Sequence, residues 1–145
     1  SIFSVDPAAR TRIEKLGMDA VWKHQESLGH SLVDVSRDKC GWDLTSYPPS
    51  KNGLLLPAKH IEVKARIKGS TVITVTRNEM LYALNQADKF LLAIVLVGEN
   101  DVIEGPYYVS NPFDAEPGWG IASVNVELKA LLERAGNELS SLQST

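Results

Sequence analysis

Ile13, Leu16, Ala20, Val21, His24 and Leu28 recur three or four residues apart, the spacing of one helical face. Asp6-Pro7 offers an N-cap followed by a proline at the first helical position, and Gly29 offers a stop. The pattern predicts a long amphipathic helix over about 7–28. The period then shortens. Leu32 to Val35 reads as a short strand, and Gly41-Trp42-Asp43-Leu44 as a second one entered through a glycine. Ser46 to Pro57, with three prolines and Gly53, reads as a loop. Ala58 to Arg66 is a third strand, 68–70 a turn, and Thr71 to Val75 a fourth strand.

Thr76 followed by Glu79 forms a capping box, which predicts a helix to about Gln86. Phe90 to Val97 is apolar throughout, as expected of a strand covered on both faces. A turn at 98–101 leads to a strand over 102–109 that Pro106 interrupts. A loop over 111–120 precedes a last helix from about Val124 to Arg134. Its inward residues are Leu128, Leu131 and Leu132, Gly136 is its stop, and the tail beyond Ser140 is expected to fray. Helix, three or four strands, helix, strand, strand, helix is the order of an α/β sandwich around a mixed sheet.

The 145 residues suit a single domain over 1–145, and 43% hydrophobic with 23% charged residues argues against disorder. A first residue of Ser1 and no leader pattern suggest a domain taken from a longer protein. Cys40 is the only cysteine, so a disulfide framework is excluded and a reducing, cytoplasmic setting is expected. No apolar run is long enough to cross a bilayer. A net charge of -3 argues against strong nonspecific binding to nucleic acid, although a local basic patch remains compatible with it.

Chemistry concentrates in Ile61-Glu62-Val63-Lys64-Ala65-Arg66. Alternation along a strand sends Ile61, Val63 and Ala65 into a core and Glu62, Lys64 and Arg66 together to the other face. If the strand of Asp43 pairs with this one, Asp43 and Glu62 approach on that face. Two carboxylates suit magnesium, which takes hard oxygen ligands. Such a cation acidifies a water and neutralises charge on a phosphate under attack, and a lysine beside it orients the water or stabilises the transition state. A solvated ion pair is the ordinary explanation of a Glu-x-Lys strand. The order of elements around it is what raises the catalytic reading.

That order, with Asp43 and then Glu62-Val63-Lys64, resembles the PD-(D/E)XK nuclease superfamily over about residues 7–97. Residues 28–30, 34–36, 41–44, 61–66, 74–79 and 90–95 together resemble more closely an uncharacterised nuclease-like domain, the NO VEIN C-terminal-like domain. It is found at the C-terminal end of bacterial superfamily-two helicases and on other DNA-defence proteins. Trp42 stands where that family tends to have tyrosine or phenylalanine.

The resemblance implies a restriction-endonuclease-like three-layer sandwich, a mixed central sheet flanked by helices with core order αβββαβ. It further implies a magnesium-dependent deoxyribonuclease, with manganese able to substitute, working beside a helicase. Asp43, Glu62 and Lys64 would be catalytic, and Asp43, Glu62 and Val63 would ligate the metal. A further acid from the first helix is usual in the superfamily. Glu14, Asp19 and Glu26 are candidates, with Glu26 favoured for its place before Leu28-Gly29.

Arg66, Lys68, Arg77 and Asn78 lie just beyond the proposed centre and are candidate DNA contacts, with solvated charge the plain alternative. The capping box already explains Glu79, with a site role the lesser alternative. His24, His30 and His60 lack metal-ligand spacing and read as structural. Trp42 and Trp119 are expected in core packing rather than on bases. Cys40 has no activating neighbour and reads as inert. Two other functions compete with the nuclease. One is a noncatalytic module of the same fold, for DNA binding or partner docking. The other is self-association, a homodimer through the apolar face of the last helix.

Overall fold

The computed structural model describes residues 6–143. Its elements are α1 (Pro7–Ser27), β1 (Ser31–Asp34), β2 (Leu44–Tyr47), β3 (Lys59–Ile67), β4 (Val72–Thr76), α2 (Arg77–Asn85), β5 (Phe90–Val97), β6 (Ile103–Val109), β7 (Ser123–Glu127) and α3 (Leu128–Gln143). Five strands form a mixed sheet in the order β1-β2-β3-β5-β6, with β3 and β5 parallel and the other pairs antiparallel. β4 and β7 form a separate antiparallel ribbon.

β5 explains the layering. Ala93, Val95 and Val97 pack with Ile13, Val21, Leu44, Ile61 and Ala65 under α1. Phe90, Leu92, Ile94 and Leu96 pack on the other face with Met80 and Ala83 of α2, Leu128 and Leu131 of α3, and Ile73 and Val75 of the ribbon. A strand buried on both faces needs apolar residues at every position, which is the run observed.

α1 starts where expected, with the Asp6 carboxylate accepting from Ala9 N–H at 2.9 Å. It lies close to β3 because Gly17 meets the sheet. A Cβ at Gly17 would sit 2.5 Å from the Ala65 Cβ. Gln25, also buried on α1, bridges Ser46 (2.8 Å) and the Tyr108 hydroxyl (2.9 Å). Those bonds draw Ser46 into β2, although proline-rich sequence predicts a loop there.

The structure departs from the expected elements in four places. The strand expected over 41–44 begins only at Leu44 and continues to Tyr47. Gly41 has φ 109° and abuts Tyr82, so residues 41–43 bend into the sheet rather than lie along it. The fourth strand leaves the central sheet to pair with β7. Residues 123–127 are that partner strand, not the start of the last helix: Val124 and Val126 alternate inward against the core. α3 also passes through Gly136 to Gln143. Glycine is permissive there, and a helix held by Leu128, Leu131 and Ala135 carries it. The frayed tail expected beyond Ser140 is therefore helical to Gln143, and 144–145 lie outside the described residues. Leu128 and Leu131 are 2% exposed within the protein's own core, so the apolar face assigned to self-association is already covered.

Two glycine substitutions have opposite expected effects. Gly17→Ala forces α1 off β3 and should destabilise by about 1–3 kcal/mol, as overpacking does. Gly136→Ala meets no atom within 4 Å and should stabilise by about 0.5–1 kcal/mol, the difference in helix propensity. Urea unfolding of both variants checks the signs; a destabilising Gly136→Ala contradicts a continuous α3.

Candidate active site

The site lies where β2 parts from β3. The register pairs Leu44 with Ile61 and ends there. One residue back, Asp43 N–H still donates to the Ile61 carbonyl at 2.9 Å, and its own carbonyl accepts from Val35 N–H at 2.8 Å. Its side chain then takes over from the missing strand. Asp43 Oδ2 accepts the Val63 N–H at 2.9 Å. The Val63 carbonyl points to that same open edge, because both polar groups of a strand residue face one side.

Alternation places Glu62 and Lys64 on the face opposite α1, as expected, whereas Arg66 comes within range of Glu14 and Arg10 of α1. Asp43 and Glu62 are near enough for each to act on the other's ionisation, and Lys64 Nζ lies 3.8 Å from Glu62 Oε1. α2 closes the cluster from above. Glu79 Oε1 accepts from Thr76 N–H at 2.8 Å, and the Thr76 hydroxyl accepts from Glu79 N–H at 3.2 Å, which completes the capping box. The same Glu79 carboxylate pairs with Lys64 at 3.1 Å and is hydrogen-bonded to Glu62. Glu79 is thus both cap and site residue. The sequence ranks the capping box first and a site role second, because nothing local shows that Lys64 and Glu62 lie within its reach.

The electrostatics follow from burial. Glu62 is only 5% exposed. Burial, then the Asp43 and Glu79 carboxylates, push it up to about 11 against the weaker pull of Lys64. Burial also raises Asp43, although the Val63 N–H, Glu62 and Lys64 pull the other way. Burial would raise Glu79 as well, but hydrogen bonds from Glu62 and Thr76, with the Lys64 charge, leave it lowered. Three carboxyls against one ammonium therefore hold a proton, seated on Glu62.

The remaining candidates disperse. Glu26 is exposed on the last turn of α1, and it is not among the groups acting on Asp43 or Glu62. Glu14 acts on Arg66, at the margin of the cluster. Asp19 is exposed. Arg66 donates to the Ala65 carbonyl at 2.8 Å. Lys68 pairs with Glu104 at 2.6 Å, beyond the end of the cluster. Arg77 and Asn78 occupy the first turn of α2 beside Glu79, with Asn78 exposed.

The histidines have structural partners: His24 with the Tyr108 hydroxyl (2.7 Å), His30 with Ser46 (2.9 Å) and His60 with the Tyr82 hydroxyl. Trp42 packs as expected. It stacks on His60 at 4.1 Å, and its indole N–H donates to Thr45 at 2.9 Å. Trp119 does not pack. It is 97% exposed on the loop before β7, where glycines on both sides leave nothing to cover it. Cys40 is a free, half-buried thiol 3.8 Å from the Trp42 carbonyl.

Fold and site together define an α/β domain with a mixed central sheet, three helices and a buried acid–lysine cluster at a sheet edge. The sequence matches the family described as Protein NO VEIN, C-terminal over residues 13–109, and the chain belongs to that family. That span holds α1 from Ile13 onward, the whole central sheet and every residue of the cluster. Comparison with curated proteins finds no match. Among the described residues no helix is long and apolar enough to cross a membrane.

The buried proton has a consequence for stability in chelator-treated protein. The folded state keeps a proton on Glu62 that the unfolded chain releases near the ordinary glutamate value. The stabilising contribution is complete below about pH 4 and is lost progressively as pH rises toward 11. Urea midpoints of wild type should fall between about pH 5 and pH 9, and Glu62→Gln should flatten that fall. A wild-type midpoint that rises across this window contradicts the assignment.

Proposed function

We propose that this domain hydrolyses phosphodiester bonds of DNA with magnesium, for which manganese substitutes. One observation carries the reading: Asp43 Oδ2 is fixed on the Val63 N–H beside Glu62, with Lys64 Nζ 3.8 Å from Glu62. The order α1, β1, β2, β3, α2, β5, with β4 of the separate ribbon inserted between β3 and α2, supports it, since the remaining elements follow the αβββαβ core of restriction-endonuclease-like nucleases.

The donor set fits a hard cation. Among the described residues no three His, Cys, Asp or Glu side chains form a metal-binding group. Magnesium does not require one: it commonly takes one or two carboxylates and fills its other positions with water and phosphate oxygens. Asp43 and Glu62 would hold it, with the Val63 carbonyl at the same edge. When bound, it supplies an acidified water and neutralises phosphate charge. The protein's own groups do the rest. Lys64 stabilises negative charge building on the phosphate, and Glu79 fixes where that ammonium stands. Glu62 would have to give up its proton to serve as a ligand, because ligation needs the carboxylate.

A net charge of -3 gives the domain a weak grip on DNA. Tethering to a helicase region of a parent protein, in DNA defence or processing, would raise the effective concentration and replace intrinsic affinity. A second reading, a noncatalytic docking or DNA-binding module, draws on two observations: Lys64 is already paired with Glu79, and Glu26 stands apart from the cluster.

Cleavage of single-stranded, double-stranded and forked DNA in magnesium separates the two. Asp43→Ala, Glu62→Ala and Lys64→Ala should each lower the rate by roughly 10²-fold or more, and a chelator should abolish it. If a Glu62→Ala, Lys64→Ala double variant of the parent protein matches wild type on every substrate, the docking module is the correct reading.

A further inference from the structure

The loop before β7 displays an indole that the fold leaves bare. A single exposed apolar side chain is ordinary in itself. Trp119, however, is held in place. The Arg77 guanidinium lies 5.7 Å from the ring centroid. Its Nη1 also donates to the carbonyls of Pro117 (3.3 Å) and Gly118 (2.8 Å), the two residues before the tryptophan. On the other side, Ile121 N–H closes the turn onto the Gly118 carbonyl, and Arg77 N–H donates to the Ala122 carbonyl at 2.9 Å. One arginine therefore fixes the loop from both ends and stands over the ring at 5.7 Å while leaving it exposed.

That arginine is the first residue of α2, and Glu79 is the third. The same helical turn that presents Glu79 to Lys64 and Glu62 also anchors the indole. Trp119 is thus positioned relative to the carboxylate face by a capped helix terminus, not by a free loop. A flat apolar ring with a cation at its face suits a flat π-system attached to a phosphate. In a duplex the base faces are covered by their neighbours. Only an unpaired base has a face to offer, and stacking on an aromatic side chain needs no particular base. Stacking also supplies affinity that an acidic chain cannot draw from phosphates alone.

We propose that Trp119, with Arg77 over its ring, is a stacking site for an unpaired nucleobase, and that the acid–lysine cluster served by the same helical turn acts on strands with a single-stranded region. The second half rests on the nuclease reading; the first does not.

The test is binding without cleavage, by fluorescence anisotropy of labelled 12-mers at low salt in chelator. Oligo(dT), oligo(U) and a DNA duplex are compared, and the first two distinguish a DNA from an RNA strand. Wild type should prefer a single strand to the duplex. Trp119→Ala should weaken single-strand binding about tenfold, the loss of one base–aromatic stack, and leave duplex binding unchanged. Trp119→Phe should retain most of the affinity. Trp119 is 97% exposed, so an unchanged melting temperature verifies that Trp119→Ala folds. Equal binding by Trp119→Ala and wild type overturns the proposal. So does a duplex bound as tightly as the single strands, or no measurable single-strand binding. The nuclease reading fails separately, if Glu62→Ala, Lys64→Ala cleaves like wild type while the Trp119 effect persists.

Discussion

Where β2 turns away from β3, the Val63 N–H is left facing an edge with no strand to accept it. An unpaired backbone donor at a half-buried position costs about 1–3 kcal/mol. Asp43 supplies the acceptor at 2.9 Å. This bond fixes the carboxylate of a residue outside the regular strand, and it does so directly beside Glu62. Everything else in the cluster is arranged around that pair. Removing the carboxylate would leave the sheet edge without its acceptor and Glu62 with Glu79 and Lys64 alone.

Burial turns the pair into a charge problem that the protein alone solves only with a proton. Lys64 is the one ammonium within reach, and Glu79 shares it. Glu62 therefore stays protonated far above the usual carboxylate range. A buried carboxyl held this way is costly to folding and characteristic of sites that bind or transform something. α2 is tied into the same arrangement. Its N-cap, its first-turn acid and its first residue serve the helix end, the lysine and the Trp119 loop respectively. A single capped turn thus joins the sheet edge to the exposed indole.

Much of this was legible in the chain. The two-residue alternation at 61–66 sorts Glu62 and Lys64 from Ile61, Val63 and Ala65 without any tertiary information. The helical spacing of α1, the capping box at Thr76 and the continuous run of β5 are equally local signals. The failures have a common cause. Ser46 joins a strand because Gln25 and His30 reach it from elsewhere. Residues 123–127 form a strand because β4 is there to pair with them. Glu79 joins the site because β3 passes beneath α2. Trp119 is exposed because its loop is pinned from α2. Each depends on a partner distant in sequence, which periodicity and propensity do not carry.

If Asp43 and Glu62 take a hard divalent cation as proposed, the proton held on Glu62 must leave when it binds. Calorimetric titration with manganese near pH 7.5, repeated in buffers of different ionisation enthalpy, measures the protons released per cation bound. The account predicts release of about one proton per cation in wild type and no comparable binding by Asp43→Asn or Glu62→Gln. Manganese binding without proton release, or binding undiminished in those variants, would contradict it.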